Sequence, residues 1–155
     1  VLSPELWATR YVDAGCESVA IHVEAPDQHR ATLDAILDSG GRAGLALDPE
    51  TPIESLASFS DALDFALVMT VKSGFGGQSY RPEAAARMAA IRALVGERDG
   101  HPLPLHVDGG INATTAGDAA AAGADLLVVG SALFSAQGPT GMGGAVRAIR
   151  ESATR

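Results

Sequence analysis

The chain has 155 residues, of which 46% are hydrophobic and 19% charged, and its formal net charge is −8. This composition is typical of one globular domain, and an acidic chain without a Lys/Arg run excludes a nucleic-acid footprint and disfavours an anionic membrane surface. Because these residues contain no apolar run of ~18 residues and no signal-peptide core, we expect a cytoplasmic protein with no membrane partner. The single cysteine, Cys16, has no internal disulfide partner, and we expect it to be buried as a small hydrophobe.

Helix-like and strand-like segments alternate from the first residues to the last. Each predicted helix begins near a proline or a capping residue and most end at a glycine; residues 51–54, for example, have the pattern of a capping box. Five predicted strands are short apolar runs, at 18–23, 43–47, 64–71, 104–107 and 125–130.

Five strands with about six helices predict a parallel sheet in a single α/β domain over residues 1–155. An open doubly wound sheet and part of an eight-stranded barrel both fit this order. The glycine-rich segment 135–144 is predicted to be a flexible loop.

Glycine clusters directly follow three successive predicted strands. They are "GFGGQ" at 74–78, "DGG" at 108–110 and "GS" at 130–131. The carboxyl ends of parallel strands form the ligand face of such folds, and glycine lets backbone N–H groups approach a ligand closely. Each cluster alone could be an ordinary tight turn, but three together favour a phosphate site. The spacing matches neither a Walker loop nor a dinucleotide fingerprint.

The segment "LHVDG" places a carboxylate at the rim of this ligand face. Alternation along a strand puts His106 and Asp108 on one face, with Leu105 and Val107 on the other. We interpret Asp108 as functional and His106 as a hydrogen-bonded interior residue. His22, at the end of the first strand, is a weaker candidate for substrate contact, and Met69 is a core residue close enough to a strand end to line the site.

Two long motifs identify a known family. "ALVMTVKSGFGGQSY" and "LHVDGGINATTAGDAAAAGADLLVVGSALF" resemble ribulose-phosphate 3-epimerases, and "AGLALDPETPIESL" is similar to them as well. The resemblance implies a TIM (β/α)8 barrel of the ribulose-phosphate-binding type, here incomplete. It also implies an isomerase of carbohydrate metabolism and the pentose phosphate pathway. Such an enzyme epimerises ribulose 5-phosphate to xylulose 5-phosphate by metal-assisted proton abstraction and return through an enediolate.

The resemblance also assigns roles to individual residues. Asp108 corresponds to a ligand of one divalent metal (Zn, Fe or Mn) and to one of two acid/base carboxylates. The remaining matches hold substrate, mainly its phosphate, or line its pocket: Gly74, Phe75, Gly76, Gly77, Gly109, Gly110, Gly130, Ser131, Met69 and, more weakly, His22. The resemblance implies a sugar-phosphate substrate and, for the full-length protein, a homo-oligomer.

Two departures from the family pattern change what we expect. Lys72 and Ser73 stand where the family usually has an acidic residue or Asn followed by Pro. Nothing in residues 1–155 matches the family's first three strands, which carry the opposed carboxylate; we expect about 65–75 further residues there. The isolated chain should therefore be inactive. The alternatives are a hexulose (allulose) 6-phosphate 3-epimerase, a non-catalytic truncated phosphate-binding paralogue, or another phosphate-binding barrel enzyme.

Overall fold

The computed structural model of the protein describes residues 3–26, 28–98, 100–137 and 141–154. In chain order its elements are α1 (Pro4–Asp13), β1 (Ser18–His22), α2 (His29–Asp38), β2 (Arg42–Leu47), a 3₁₀ helix (Ile53–Ala62), β3 (Phe65–Met69), α3 (Ala84–Val95), β4 (Glu97–Arg98), β5 (His101–Pro102), β6 (Leu105–Asp108), α4 (Ala116–Ala121), β7 (Leu126–Val128), α5 (Ser131–Phe134) and α6 (Gly141–Ala153).

Five strands form one parallel sheet in the order β1-β2-β3-β6-β7. Each new strand is added beside the previous one, so the order never reverses. A doubly wound sheet reverses its order at a switch point, whereas a barrel does not. The topology is therefore that of a barrel segment, and β4 and β5 form a separate two-stranded antiparallel hairpin that the sequence did not predict.

The hydrophobic core lies between one face of this sheet and the helices. Alternate strand residues enter it, such as Leu45, Val68, Leu105 and Val107, all fully buried. His106 and Asp108 are only half-buried on the other face, which confirms the predicted alternation. The core also contains side chains from the helices and connecting segments, including Leu33, Ile36, Leu56, Met88 and Ile91.

Two stacked rings lie on the other face of the sheet. The ring of Phe65 stacks on His106 with a centroid separation of 4.3 Å and an interplanar angle of 18°. The same ring lies over Gly44, where a Cβ atom would sit 2.4 Å from two ring carbons. Burial, with a smaller effect from nearby Arg42, lowers the pKa of His106. His106 is thus half-buried on this face with its ring packed against Phe65, as its inward-facing sequence position suggested.

Three local predictions differ from the structure. The predicted capping box does not form, because the Thr51 hydroxyl donates to Glu24 and the segment after Pro52 is a 3₁₀ helix. Cys16 is exposed, since it lies in the turn after α1 and not within the sheet. Residues 138–140 of the predicted loop lie outside the described residues, and Gly141 already begins α6.

None of the described helices combines the length and the hydropathy needed to cross a membrane.

Candidate functional site

The exits of β3, β6 and β7 meet around one cavity of about 380 Å³. It is lined by all but one of the residues predicted to form the site: Met69, Gly74, Phe75, Gly76, Gly77, Asp108, Gly109, Gly110, Gly130 and Ser131. Lys72 also lines it. The structure therefore brings the three glycine clusters and the rim carboxylate together, as parallel pairing of the three strands requires. The predicted residue that does not line it is His22.

Two glycines after β6 are fixed by close packing. Gly109 (φ +120°) would place a Cβ atom 2.6 Å from Thr70 Oγ1 and 2.7 Å from Val71 Cγ2. Gly110 (φ +62°) would place one 2.2 Å from the backbone nitrogen of Tyr80. The Thr70 N–H donates to the Asp108 carbonyl at 2.8 Å and ties the exits of β3 and β6 together. These glycines are thus required by the fold itself.

The glycines after β3 are in a different environment. A Cβ atom at Gly74, Gly76 or Gly77 would meet nothing within 4 Å. Gly74 and Gly77 have φ values of +123° and +77°, which other residues rarely adopt, whereas Gly76 is not in that region. Phe75 between them is 86% exposed. This loop therefore presents open backbone to the cavity.

The third exit is formed by Gly130 and Ser131. Gly130 precedes α5 and accepts the Leu133 N–H at 2.9 Å. A Cβ atom at Gly130 would also meet nothing within 4 Å. Ser131 is the first residue of the short helix α5 and lines the cavity.

Asp108 is the cavity's ionisable acid. Burial raises the pKa of its carboxyl group, and a hydrogen bond from the Gly109 N–H and the proximity of His22 oppose that shift in part. A carboxylate with a raised pKa is a stronger base than an ordinary one, which suits it to take up a proton. The described residues that line the cavity include no second carboxylate or histidine.

His22 belongs to a neighbouring cluster at the exits of β1 and β2. Its Nδ1 lies 3.2 Å from a Glu24 carboxylate oxygen. Each of these three residues, His22, Glu24 and Asp48, has one possible metal-ligand atom within 4.8 Å of those of the other two. Both acids, however, already accept protein hydrogen bonds: Glu24 from the Asp48 N–H (2.8 Å), and Asp48 from Ser73.

Sequence reasoning missed Asp48. The signal was present, because "LALD" has an acid directly after an apolar strand, as "LHVD" does. What the sequence did not show is that the β1 and β3 exits supply its hydrogen-bonding partners.

Comparison with known proteins identifies the family. The model of the ribulose-phosphate 3 epimerase family matches residues 1–134. The chain belongs to this family. A ribulose-phosphate 3-epimerase of Mycobacterium tuberculosis (strain ATCC 25618 / H37Rv) is 38% identical over 151 residues, which cover 97% of this chain and 64% of that protein. One of Escherichia coli (strain K12) is 40% identical over 124 residues, 80% of this chain and 55% of that protein. The chain thus spans roughly two thirds or less of the length of these relatives.

Solved structures with the same fold are more distant in sequence. The 3-hexulose-6-phosphate synthase of Salmonella typhimurium has a TM-score of 0.68 at 18% identity, covering 97% of this chain and 68% of that one. Orotidine 5'-phosphate decarboxylase of Pyrococcus horikoshii OT3 has a TM-score of 0.69 at 20% identity, covering 98% and 68%. These neighbours are TIM-barrel enzymes. They confirm the predicted α/β fold of barrel type, with five parallel strands in this chain.

Proposed function

We propose that the full-length protein is a ribulose-phosphate 3-epimerase that interconverts ribulose 5-phosphate and xylulose 5-phosphate. The observation that carries this proposal is the cavity in which three glycine-bearing strand exits surround one carboxylate of raised pKa. Membership of the family and the names of the relatives support it.

Asp108 would exchange the proton at the carbon that is inverted. In one direction its carboxylate takes that proton on an oxygen atom, and in the other it returns a proton to the same face. Inversion requires a second acid/base group on the opposite face of the carbon. Among the described residues that line the cavity, Asp108 is the only carboxylate, and there is no histidine. We therefore propose that the second group comes from a segment outside the 155 residues and that the isolated chain is inactive.

The phosphate group would lie against the open backbone of the β3 and β7 exits. Gly76, Gly77 and Gly130 leave room for a ligand because nothing occupies the space in front of their Cα atoms. Backbone N–H groups in such concave turns bind anions. Lys72 at the same wall adds a positive charge, which a dianionic phosphate would favour in an otherwise acidic chain.

The divalent metal that the family resemblance implies fits these residues only in part. Asp108 has the oxygen donor for one ligand position, but divalent ions take at least four ligands. The cluster of His22, Glu24 and Asp48 is a separate group of possible ligands, and none of its three residues lines the cavity that Asp108 lines.

Asp108→Asn in the full-length protein tests this function. We expect epimerisation of ribulose 5-phosphate to fall by about 10²–10⁴-fold, because the amide cannot exchange the proton, while circular dichroism shows an intact fold. Retained activity would remove Asp108 from the mechanism. Parallel assays with a hexulose 6-phosphate, and with the isolated 155-residue chain, separate the pentose enzyme from the alternatives.

A further inference from the structure

We infer that Asp48 is a positioning residue that fixes the conformation of the glycine-rich loop by accepting two hydrogen bonds from Ser73. The loop comprises residues 72–78, here termed the 72–78 loop. The inference deepens the proposed function and rests on it, because it assigns the loop's shape to a residue outside the cavity.

The Asp48 carboxylate receives two hydrogen bonds from Ser73. One oxygen accepts the Ser73 N–H at 3.1 Å and the other accepts the Ser73 hydroxyl, also at 3.1 Å. All of these groups are part-buried. Two bonds to one residue fix its orientation as well as its distance, and Ser73 is followed directly by Gly74. The conformation at the start of the glycine run is therefore set from the exit of β2.

Asp48 is itself held from two sides. Its N–H donates to Glu24 at 2.8 Å, and its carbonyl accepts a hydrogen bond from the Arg87 guanidinium of α3 at 2.9 Å. The same guanidinium also donates to the Thr51 carbonyl. The hydrogen bonds to Glu24 and Arg87 join Asp48 to the exit of β1 and to α3, and neither of them involves the loop.

The far end of the loop is closed by Gln78. Its side-chain amide donates to the carbonyls of Lys72 at 2.7 Å and Phe75 at 2.8 Å. These two bonds tie the end of the loop back to its start and its middle, and the glycines between them have no neighbour in front of them. A loop held at its ends loses less conformational freedom when a ligand binds, and affinity improves accordingly.

The two hydrogen bonds to Asp48 restrict a residue, Ser73, whose own side chain does not restrict the backbone. A proline at position 73 would fix φ but would have no N–H to donate. Ser73 lacks that constraint, and its N–H and hydroxyl are both used on Asp48 instead. The pair Asp48–Ser73 therefore supplies by hydrogen bonding the rigidity that a proline ring supplies covalently.

The kinetics of four variants of the full-length protein test the role of the Asp48–Ser73 hydrogen bonds. Asp48→Ala should raise KM for ribulose 5-phosphate by about tenfold and Ser73→Ala by about threefold, the losses expected for two bonds and one, with kcat changed less than about twofold. Asp48→Asn should stay close to wild type, since its amide group can donate to the Ser73 hydroxyl and its oxygen still accepts the N–H. Asp38→Ala, an exposed acid at the end of α2, is the matched control.

The double variant Asp48→Ala/Ser73→Ala should raise KM no further than Asp48→Ala alone. Unchanged KM in Asp48→Ala, a loss confined to kcat, or additive effects in the double variant would overturn the inference. Hydrogen exchange separates this result from a failure of the proposed function. In Asp48→Ala the amides of the 72–78 loop should exchange about tenfold faster than in wild type and Asp38→Ala, whether or not the protein epimerises. If Asp48→Ala does not fold, Ser73→Ala decides with the same readout, and unchanged exchange overturns the inference.

Discussion

The glycines at the β6 exit and those in the 72–78 loop line the same cavity for different physical reasons. Gly110 leaves no space for a side chain, since its Cβ would lie 2.2 Å from the Tyr80 nitrogen. Gly76 faces open space and has no unusual φ. One glycine is required by packing, and the other is free of any such requirement.

This difference decides at which glycines a substitution can test ligand binding. A substitution at Gly109 or Gly110 changes the fold before any ligand arrives, so a loss of binding there would not prove phosphate contact. A substitution at Gly76 changes only the surface offered to the ligand. The role of the β6 glycines in phosphate binding stays a prediction, and the 72–78 loop is the place to test it.

The largest effect should come from Gly110→Ala. The new Cβ collides with backbone, and φ of +62° is strained for alanine, so we expect the free energy of unfolding to fall by about 3 kcal/mol or more. Urea unfolding of the full-length protein measures this. A loss below about 1 kcal/mol would show that the β6 exit is not packed as described.

A smaller loss is expected from Gly44→Ala, which meets a side chain and not backbone. Its Cβ would press on the Phe65 ring at 2.4 Å, and the ring must move off His106 to make room. We expect a loss of about 1–3 kcal/mol. The double variant Gly44→Ala/Phe65→Leu should recover part of that loss, and no recovery would contradict the Phe65 contact as its cause.

Gly76→Ala should leave stability within about 0.5 kcal/mol of wild type, because the added methyl group meets nothing. If phosphate binds against the 72–78 loop, KM for ribulose 5-phosphate should rise about five- to tenfold. Gly143→Ala in α6 is the matched control, as its Cβ also has free space, with the nearest atom 3.9 Å away. An equal KM in both variants would exclude the loop from the site.

The smallest effect concerns the stability of Asp108→Asn as a function of pH. Because the pKa of Asp108 is raised in the folded protein, folding stability decreases as pH rises from the unfolded value, about 3.9, through the folded value. Asn lacks this penalty. The variant should therefore unfold at a higher temperature than wild type at neutral pH, with the gain disappearing below about pH 4. A gain independent of pH would contradict burial of this carboxyl.

The sequence predicted much of this arrangement because it depends on short-range rules. Alternation along β6 separated Asp108 from Leu105 and Val107, and glycines after apolar runs marked the three exits. The Asp48–Ser73 pair could not be predicted, since it requires β2 and β3 to be neighbours with a matching register. Thr51 failed as a capping residue for a similar reason: Glu24, which is distant in sequence, competes for its hydroxyl.

The most direct test of the central claim uses full-length protein labelled with ¹⁵N at glycine only. Ribulose 5-phosphate and inorganic phosphate are titrated in turn, and amide shifts are followed by NMR. We predict that both ligands shift Gly76, Gly77 and Gly130, while Gly15 and Gly40, in turns after α1 and α2, stay unchanged. Shifts at Gly15 or Gly40 without shifts at the cavity glycines, or none with either ligand, would contradict a phosphate site at these strand exits.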